Sequence, residues 1–499
     1  MKHWCIAALL ILLAVAATGC SGQSPEPESV PAATVVAEST PTPTPIPPEL
    51  LFDITVYPPT CQSNGYSLYV SRETGGINIC DEVPRLNHDY GPWDIDMQTG
   101  EMVRVCGMCG GVDRRKADGL ARLILFGDEA ALAQGPADLE ARFIDHRDGV
   151  AFTGFGRVIW PGYSDVSRVK CDLSVTFYDD QAMERPHALR LFDDLSLSGY
   201  TLAANAIDAS QIRHALCARL WKTMDEGRAA CESIPVTVYL NGDFRGLYAM
   251  TVPPGADLYG MTPGRRQAVV TPADNGWGTV PFLAGTRLED DWRVLFNGQG
   301  DDAWIADELA LLEGFIRDSD DAEFHEQLRA YLDTDTAIDY LLFMYALGLN
   351  QSASKDIALL KYDYDPWVIA PFDMSEAFNL SPDGEALEAD AFLPARGEDG
   401  AWRTGAGSPL WDRLMNVFEA DIRLRWQALR QGALSEESIA RRVRYMMRRM
   451  PSSVYRADRA LFRRSALIID PGQQMQDFIH QRLVLLDAIL ETPQQEAKP

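Results

Sequence analysis

The chain has 499 residues, enough for two or three domains, and 46% of them are hydrophobic, enough for a substantial core. Its formal net charge of −27 argues against nucleic acid as a main partner, because that role needs a basic surface. Residues 401–499 carry 16 Lys and Arg against 11 Asp and Glu, so the surplus acid lies in the rest of the chain.

Met1-Lys2-His3 precedes an apolar run from about Ile6 to Ala17, followed by Ala17-Thr18-Gly19-Cys20. This reads as a lipoprotein signal peptide over 1–19, cleaved ahead of a Cys20 that takes lipid. The run is short for a membrane span. The expectation is an extracytoplasmic protein held on a bacterial membrane through lipid on Cys20. Residues 20–49 are rich in Pro and Thr and end in TPTPTPIPPE, a composition that favours an extended, disordered tether.

Residues 50–150 read as a Cys-containing region or small domain. FDITVYP and YSLYVSRE alternate as strands do. Cys61, Cys80 and the pair in VCGMCGG, Cys106 and Cys109, leave three readings open: structural disulfides, a zinc site, or a redox pair. Cys5 leaves with the signal peptide and Cys20 carries lipid, so seven of the nine cysteines remain. Outside the membrane disulfides are the default, and Cys217–Cys231 is a plausible pair.

Further on, Gly162 and Ser164 suggest a turn, and Leu173, Val175 and Phe177 alternate as a half-buried strand. Ile212, Leu216 and Leu220 mark one helical face, with Asp208 or Ser210 able to cap its start. Val236–Leu240 and Phe244–Met250 flank Asn241-Gly242, a strong hairpin signal. From Asp301 the chain is mostly helical, with apolar stripes at Ile305, Leu309, Leu312, Ile316 and at Ile338, Leu341, Leu342, Tyr345, then helices near 409–431, 435–450 and 474–491. Arg441, Arg442, Arg444, Arg448 and Arg449 form a basic cluster, read as a solvated helix face or a contact for an anionic surface.

Residues 345–380 carry the candidate site. A polar loop from Asn350 to Lys355 follows an apolar helix. Two short apolar runs, Ile357–Tyr362 and Trp367–Ala370, flank an Asp/Pro turn and predict a hairpin with Asp356 before it and Asp373 after it. Together with YTLAANAIDASQIRHAL (200–216) and YLNGDFRGLY (239–248), this stretch resembles the CotH family of spore-coat kinase-like proteins, over roughly Gly154 to Leu490. The resemblance implies an α+β, two-lobed atypical protein-kinase-like fold over 151–492. A sheet-rich N-terminal lobe would cover about 150–290 and a helical C-terminal lobe about 300–492, ahead of a disordered tail at 493–499. It implies Mg²⁺ and ATP as cofactors. Lys170 would hold phosphate, Asn350 would serve the cofactor, Asp373 would hold metal, and Asp356 would act as metal ligand or base. Three replacements stand against activity: Val252 for the glutamate that would hold the lysine, Ser352 at the base position, and Ser375 for the second metal carboxylate. The resemblance therefore implies a weak or inactive kinase-like binding or scaffold protein with a surface or coat protein as partner. The alternative is an active phosphotransferase with rearranged residues. Lys170 and Asp373 are expected to face one cleft.

Overall fold

The structure is a computed structural model that describes residues 51–491 except 92, 97–98, 100, 116–118, 146–148, 162–169, 193–194, 274–281 and 463–467. The expected signal peptide, Cys20, the tether, the turn at Gly162 and Ser164, and the tail 493–499 lie outside the described residues. Among those described, no helix is long and apolar enough to cross a membrane.

The chain divides into two units, 1–86 and 87–499. The first is an antiparallel sheet in the order β1 (Phe52–Tyr57), β2 (Gly65–Ser71), β3 (Ile77–Val83). Its register sets Tyr57 opposite Tyr66, with ring centroids 4.9 Å apart. Cys61 and Cys80 belong to this unit, and Cys106 and Cys109 to the other. The division falls at 86/87, not at the expected boundary near 150.

The second unit opens with a small antiparallel sheet, β4 (Asp94–Ile95), β5 (Met102–Val105) and β6 (Val112–Arg115). A closed seven-stranded barrel follows. Its strands are β7 (Ala121–Phe126), β8 (Ala137–Asp145), β9 (Val150–Ile159), β10 (Leu173–Tyr178), then, past the small hairpin β11 (Leu189–Phe192) and β12 (Leu195–Leu197), β13 (Gly199–Ala203), β14 (Ser233–Leu240) and β15 (Asp243–Thr251). The order around the barrel is β10-β13-β15-β14-β7-β8-β9. All pairs are antiparallel except β14–β7, where Val236 lies beside Ala121 and the ring closes. Leu173, Val175 and Phe177 point inward to meet Phe143, Tyr200, Val238 and Met250, while the residues between them are half-buried. Closure leaves these strands no open edge. The sheet region thus begins well before residue 151, because β7–β9 are three of the seven staves.

Asn241 and Gly242 take the positive φ values (52° and 86°) that a tight hairpin turn needs. The Asn241 amide also reaches back to the chain after β7, donating to Gly127 O (2.9 Å) and accepting from Gly127 N (3.0 Å).

The helix α1 (Arg213–Lys222) lies between β13 and β14 in sequence. A second sheet, order β17-β16-β18-β19, joins β16 (Gln267–Pro272), β17 (Trp292–Asn297), β18 (Ile357–Tyr362) and β19 (Val368–Pro371). The predicted 357–370 hairpin is its β18–β19 pair, with Ile357 opposite Pro371. The larger helices are α2 (Ala303–Asp318), α3 (Asp321–Gln327), α4 (Thr334–Leu347), α5 (Pro409–Val417), α6 (Glu419–Arg430), α7 (Glu436–Arg448), α8 (Ser452–Phe462) and α9 (Pro471–Glu491). They share one continuous core, which includes Leu216, Trp221, Leu312, Leu341, Phe343, Trp411, Trp426 and Leu483. Helix α4 is buried almost all round, as a central helix must be if apolar on every face. Its one buried acid, Asp339, is held by Arg228 (2.6 Å) and Arg425 (2.6 Å). The fold is mixed α and β, and the sheet region takes the form of a barrel.

Cys217 and Cys231 are not bonded to each other. Each is a buried thiol, and burial pushes both above the usual range, Cys231 to about 12. No disulfide forms among the described residues.

Candidate functional site

The β18–β19 hairpin brings Asp356 and Asp373 to the same end of the sheet, since the Phe372 N–H donates to Asp356 O at 2.9 Å. Beside this end lies a cleft of about 760 Å³. Asn350, Lys355, Asp373, Ser375 and Glu376 line it from the 345–380 stretch, and Asp172 and Asn205 line it from the chain flanking β10 and β13. Its volume is in the range of small-molecule sites.

The loop after β19 is tied down from two directions. Arg213 of α1 is fully buried and paired with the fully buried Asp208. Its guanidinium also donates to Ala377 O (2.9 Å) and to Gln474 Oε1 of α9 (2.6 Å). Gln474 in turn donates to Phe378 O (3.0 Å). His214, next on α1, donates from Nε2 to Cys231 O (2.6 Å). That bond needs a proton on Nε2, and Nδ1 lies 3.4 Å from the Met374 N. The same Nδ1 stands 3.6 Å from Asp373 Oδ1. Asp208 also accepts from the Arg213 N–H (3.0 Å), although the N-cap position of α1 is Ile212, which makes no side-chain cap bond.

Asp373 has a side chain 49% exposed, facing the cleft. Burial of the site works to raise it, but His214 and the Ser375 N–H hold it below the usual carboxylate range. Glu376 behaves oppositely. Burial pushes it up to about 8, the charges of Asp356 and Asp373 add to the rise, and Lys355 opposes it. The cleft therefore gathers negative charge with one lysine among its lining residues.

The residues singled out from sequence divide here. Asn350 and Asp373 line the cleft, and Asp356 adjoins it, in a left-handed conformation (φ 58°). Asn350 donates its amide to Asn379 Oδ1, which fixes its orientation. Ser352 is buried in a short turn and is not part of the lining. Lys170 is not part of it either, so the expected meeting of Lys170 and Asp373 in one cleft does not occur. The Lys170 amine is buried against Leu247 O and Asp458 Oδ1 (3.1 Å), with the Tyr248 ring 4.7 Å away. Its carboxylate partner is thus present after all, supplied by α8 instead of by position 252. Sequence reasoning missed Glu376, Lys355, Arg213 and His214. Glu376 was within reach, as an acid three residues after Asp373 and one after the Ser375 that replaces the expected carboxylate.

A hard divalent cation suits clustered oxygen donors, and Glu376 is raised by burial first and by the charges of Asp356 and Asp373 in addition. Among the described residues these acids do not close to the spacing of a ready-made cage. Mg²⁺ asks for only one or two carboxylates, with water and phosphate completing its shell. Asp373 and Glu376 would hold such an ion, which would neutralise charge on a bound phosphate. Lys355 is the lysine among the cleft's lining residues.

The family model described as CotH kinase protein matches residues 296–486, from the end of β17 into α9, and marks this segment as kinase-like. The match begins after the barrel, so YLNGDFRGLY lies outside it. No curated protein matches the chain.

Proposed function

We propose that this chain is an exported, membrane-anchored kinase-like protein whose cleft binds a metal-dependent anionic ligand and transfers phosphate slowly or not at all. The barrel and the helical region stand for the two lobes. One observation carries the reading: the kinase-like segment keeps Asp373 in the cleft, while Lys170 and Ser352 lie away from it. A site without its base loses about two to four orders of magnitude in rate. Anchoring through Cys20 places the cleft on the membrane's outer side, where a surface or coat protein is the natural partner. Replacing Cys20 by Ser should release the chain from membranes or leave an unprocessed precursor.

Glu376 favours a second reading, an active phosphotransferase. A carboxyl raised to about 8 beside Asp373 and Asp356 is within range of acid–base work near neutral pH. One experiment separates the two readings. Binding of Mg²⁺-ATP is measured by calorimetry and phosphate transfer to the chain itself or to an acidic protein is followed, with Asp373→Ala and Glu376→Ala alongside. The proposal expects binding that Asp373→Ala weakens, with transfer near background. Robust transfer abolished by either substitution would establish the enzyme, and absence of any Mg²⁺-dependent binding would sink both.

A further inference from the structure

Away from the cleft, the β5–β6 hairpin carries a second cluster of donor atoms. Its loop is Cys106-Gly-Met-Cys109-Gly-Gly111, folded tightly by Cys106 N–H to Gly111 O (2.9 Å) and Gly110 N–H to Cys106 O (2.8 Å). Gly110 takes φ +70°, a conformation that favours glycine. The Gly111 N–H donates to Cys109 Sγ at 3.3 Å, pointing a backbone dipole at that sulfur. A third backbone segment runs alongside. Tyr90 forms a bridge with Cys106, Gly91 N–H donates to Val105 O (3.1 Å) and Gly107 N–H to Asp89 O (2.8 Å). This pairing carries His88 to the loop, with Nδ1 3.4 Å from Cys109 Sγ. The ligand atoms of His88, Cys106 and Cys109 all lie within 4.8 Å of one another.

We infer that His88, Cys106 and Cys109 hold a zinc ion as three of its four tetrahedral ligands. Zinc binds thiolate sulfur at about 2.3 Å and imidazole nitrogen at about 2.0–2.1 Å, which sets a tetrahedral S···N edge of about 3.5 Å. The observed 3.4 Å matches that edge before any rearrangement. The competing chemistry, a Cys106–Cys109 disulfide, gives no role to His88 and would require a sulfur–sulfur bond of about 2.05 Å. Two thiolates and an imidazole are zinc's preferred donors, whereas Mg²⁺ takes oxygen. Binding involves no change of oxidation state. Two Zn–S bonds and one Zn–N bond form, and the two thiol protons pass to solvent. The ion would bind the loop to the 88–91 segment, where regular structure is sparse.

The test uses the full-length chain, purified without chelator, with metal content read by plasma mass spectrometry. About one zinc per chain is expected, falling below about a tenth in Cys106→Ser and Cys109→Ser. His88→Gln should lower the affinity for Zn²⁺ at least about tenfold in competition with a chromophoric chelator. Cys171→Ser should retain zinc, which controls for general thiol effects. Should the cysteine variants fail to fold, the native chain still decides. Replacing zinc with Co²⁺ should give a sulfur-to-metal charge-transfer band, and chelation should expose two more thiols to reagent. A chain that takes up no zinc under reducing conditions, a Cys106–Cys109 disulfide found by mass mapping, or full zinc in the double variant Cys106→Ser/Cys109→Ser would overturn the assignment.

Discussion

The two donor clusters of the second unit are built on opposite plans. Around the hairpin of β5 and β6, backbone hydrogen bonds gather two thiols and an imidazole to within 4.8 Å, in a loop of six residues and one neighbouring segment. In the cleft, Asp356 and Asp373 flank the ends of β18 and β19, side chains of α1 and α9 hold the backbone carbonyls of the loop that follows, and burial, with the charges of Asp356 and Asp373 adding to it, pushes Glu376 up to about 8. In the hairpin cluster the sulfur and nitrogen donors already lie within reach of one another. In the cleft, burial and the neighbouring acids favour the protonated form of Glu376, which a bound cation would oppose. A locally assembled cluster is therefore set by near neighbours, whereas the cleft depends on helices far apart in the chain.

The largest way to break this contrast is Arg213→Met. It leaves Asp208 buried without its cation and frees Ala377 O, so a loss of about 3–5 kcal/mol in denaturant unfolding is expected. Cleft affinity for Mg²⁺-ATP should fall with it, while zinc content stays unchanged. The reverse probe is Gly111→Ala. A Cβ there would stand 3.1 Å from Cys109 Sγ, crowding the sulfur, and zinc affinity should drop about tenfold with no effect on the cleft. The smallest effect is a pH dependence. Glu376 keeps its proton up to about pH 8 in the folded chain but only to about its ordinary 4.5 when unfolded. Between those values the folded state binds the extra proton, so stability falls as pH rises. Glu376→Gln should remove this slope. It should match the native chain near pH 4.5 and exceed it at pH 8, and Mg²⁺ should narrow the gap.

What sequence could reveal was local. Asn241-Gly242, the β18–β19 hairpin, the alternation of Leu173, Val175 and Phe177, and the stripe of α2 all rest on near neighbours, and each appears where its pattern puts it. The barrel was hidden because its closing pair, β7 with β14, is parallel and joins residues more than a hundred apart, so β7 and β8 read as part of a separate region. Lys170 looked abandoned because a partner was sought at position 252, whereas the carboxylate comes from Asp458 on α8, which no spacing rule could connect. His88 escaped because only cysteines were counted near Cys106, although a histidine 18 residues upstream is an ordinary metal-ligand signal. The acids of the cleft were legible as residues but not as a charge balance, since that depends on which lysine faces them.

The bond from Arg213 to Gln474 joins residues 261 apart in the chain. It has a consequence for the order of events during synthesis. The barrel, α1 and the β18–β19 hairpin all leave the ribosome before α9 exists, so the loop bearing Asp373 and Glu376 is made without the helix that braces it. Nascent chains therefore carry the acids of the cleft but not its shape. On the proposed function, a chain cut short before Gln474 should emerge folded in part and fail to bind Mg²⁺-ATP.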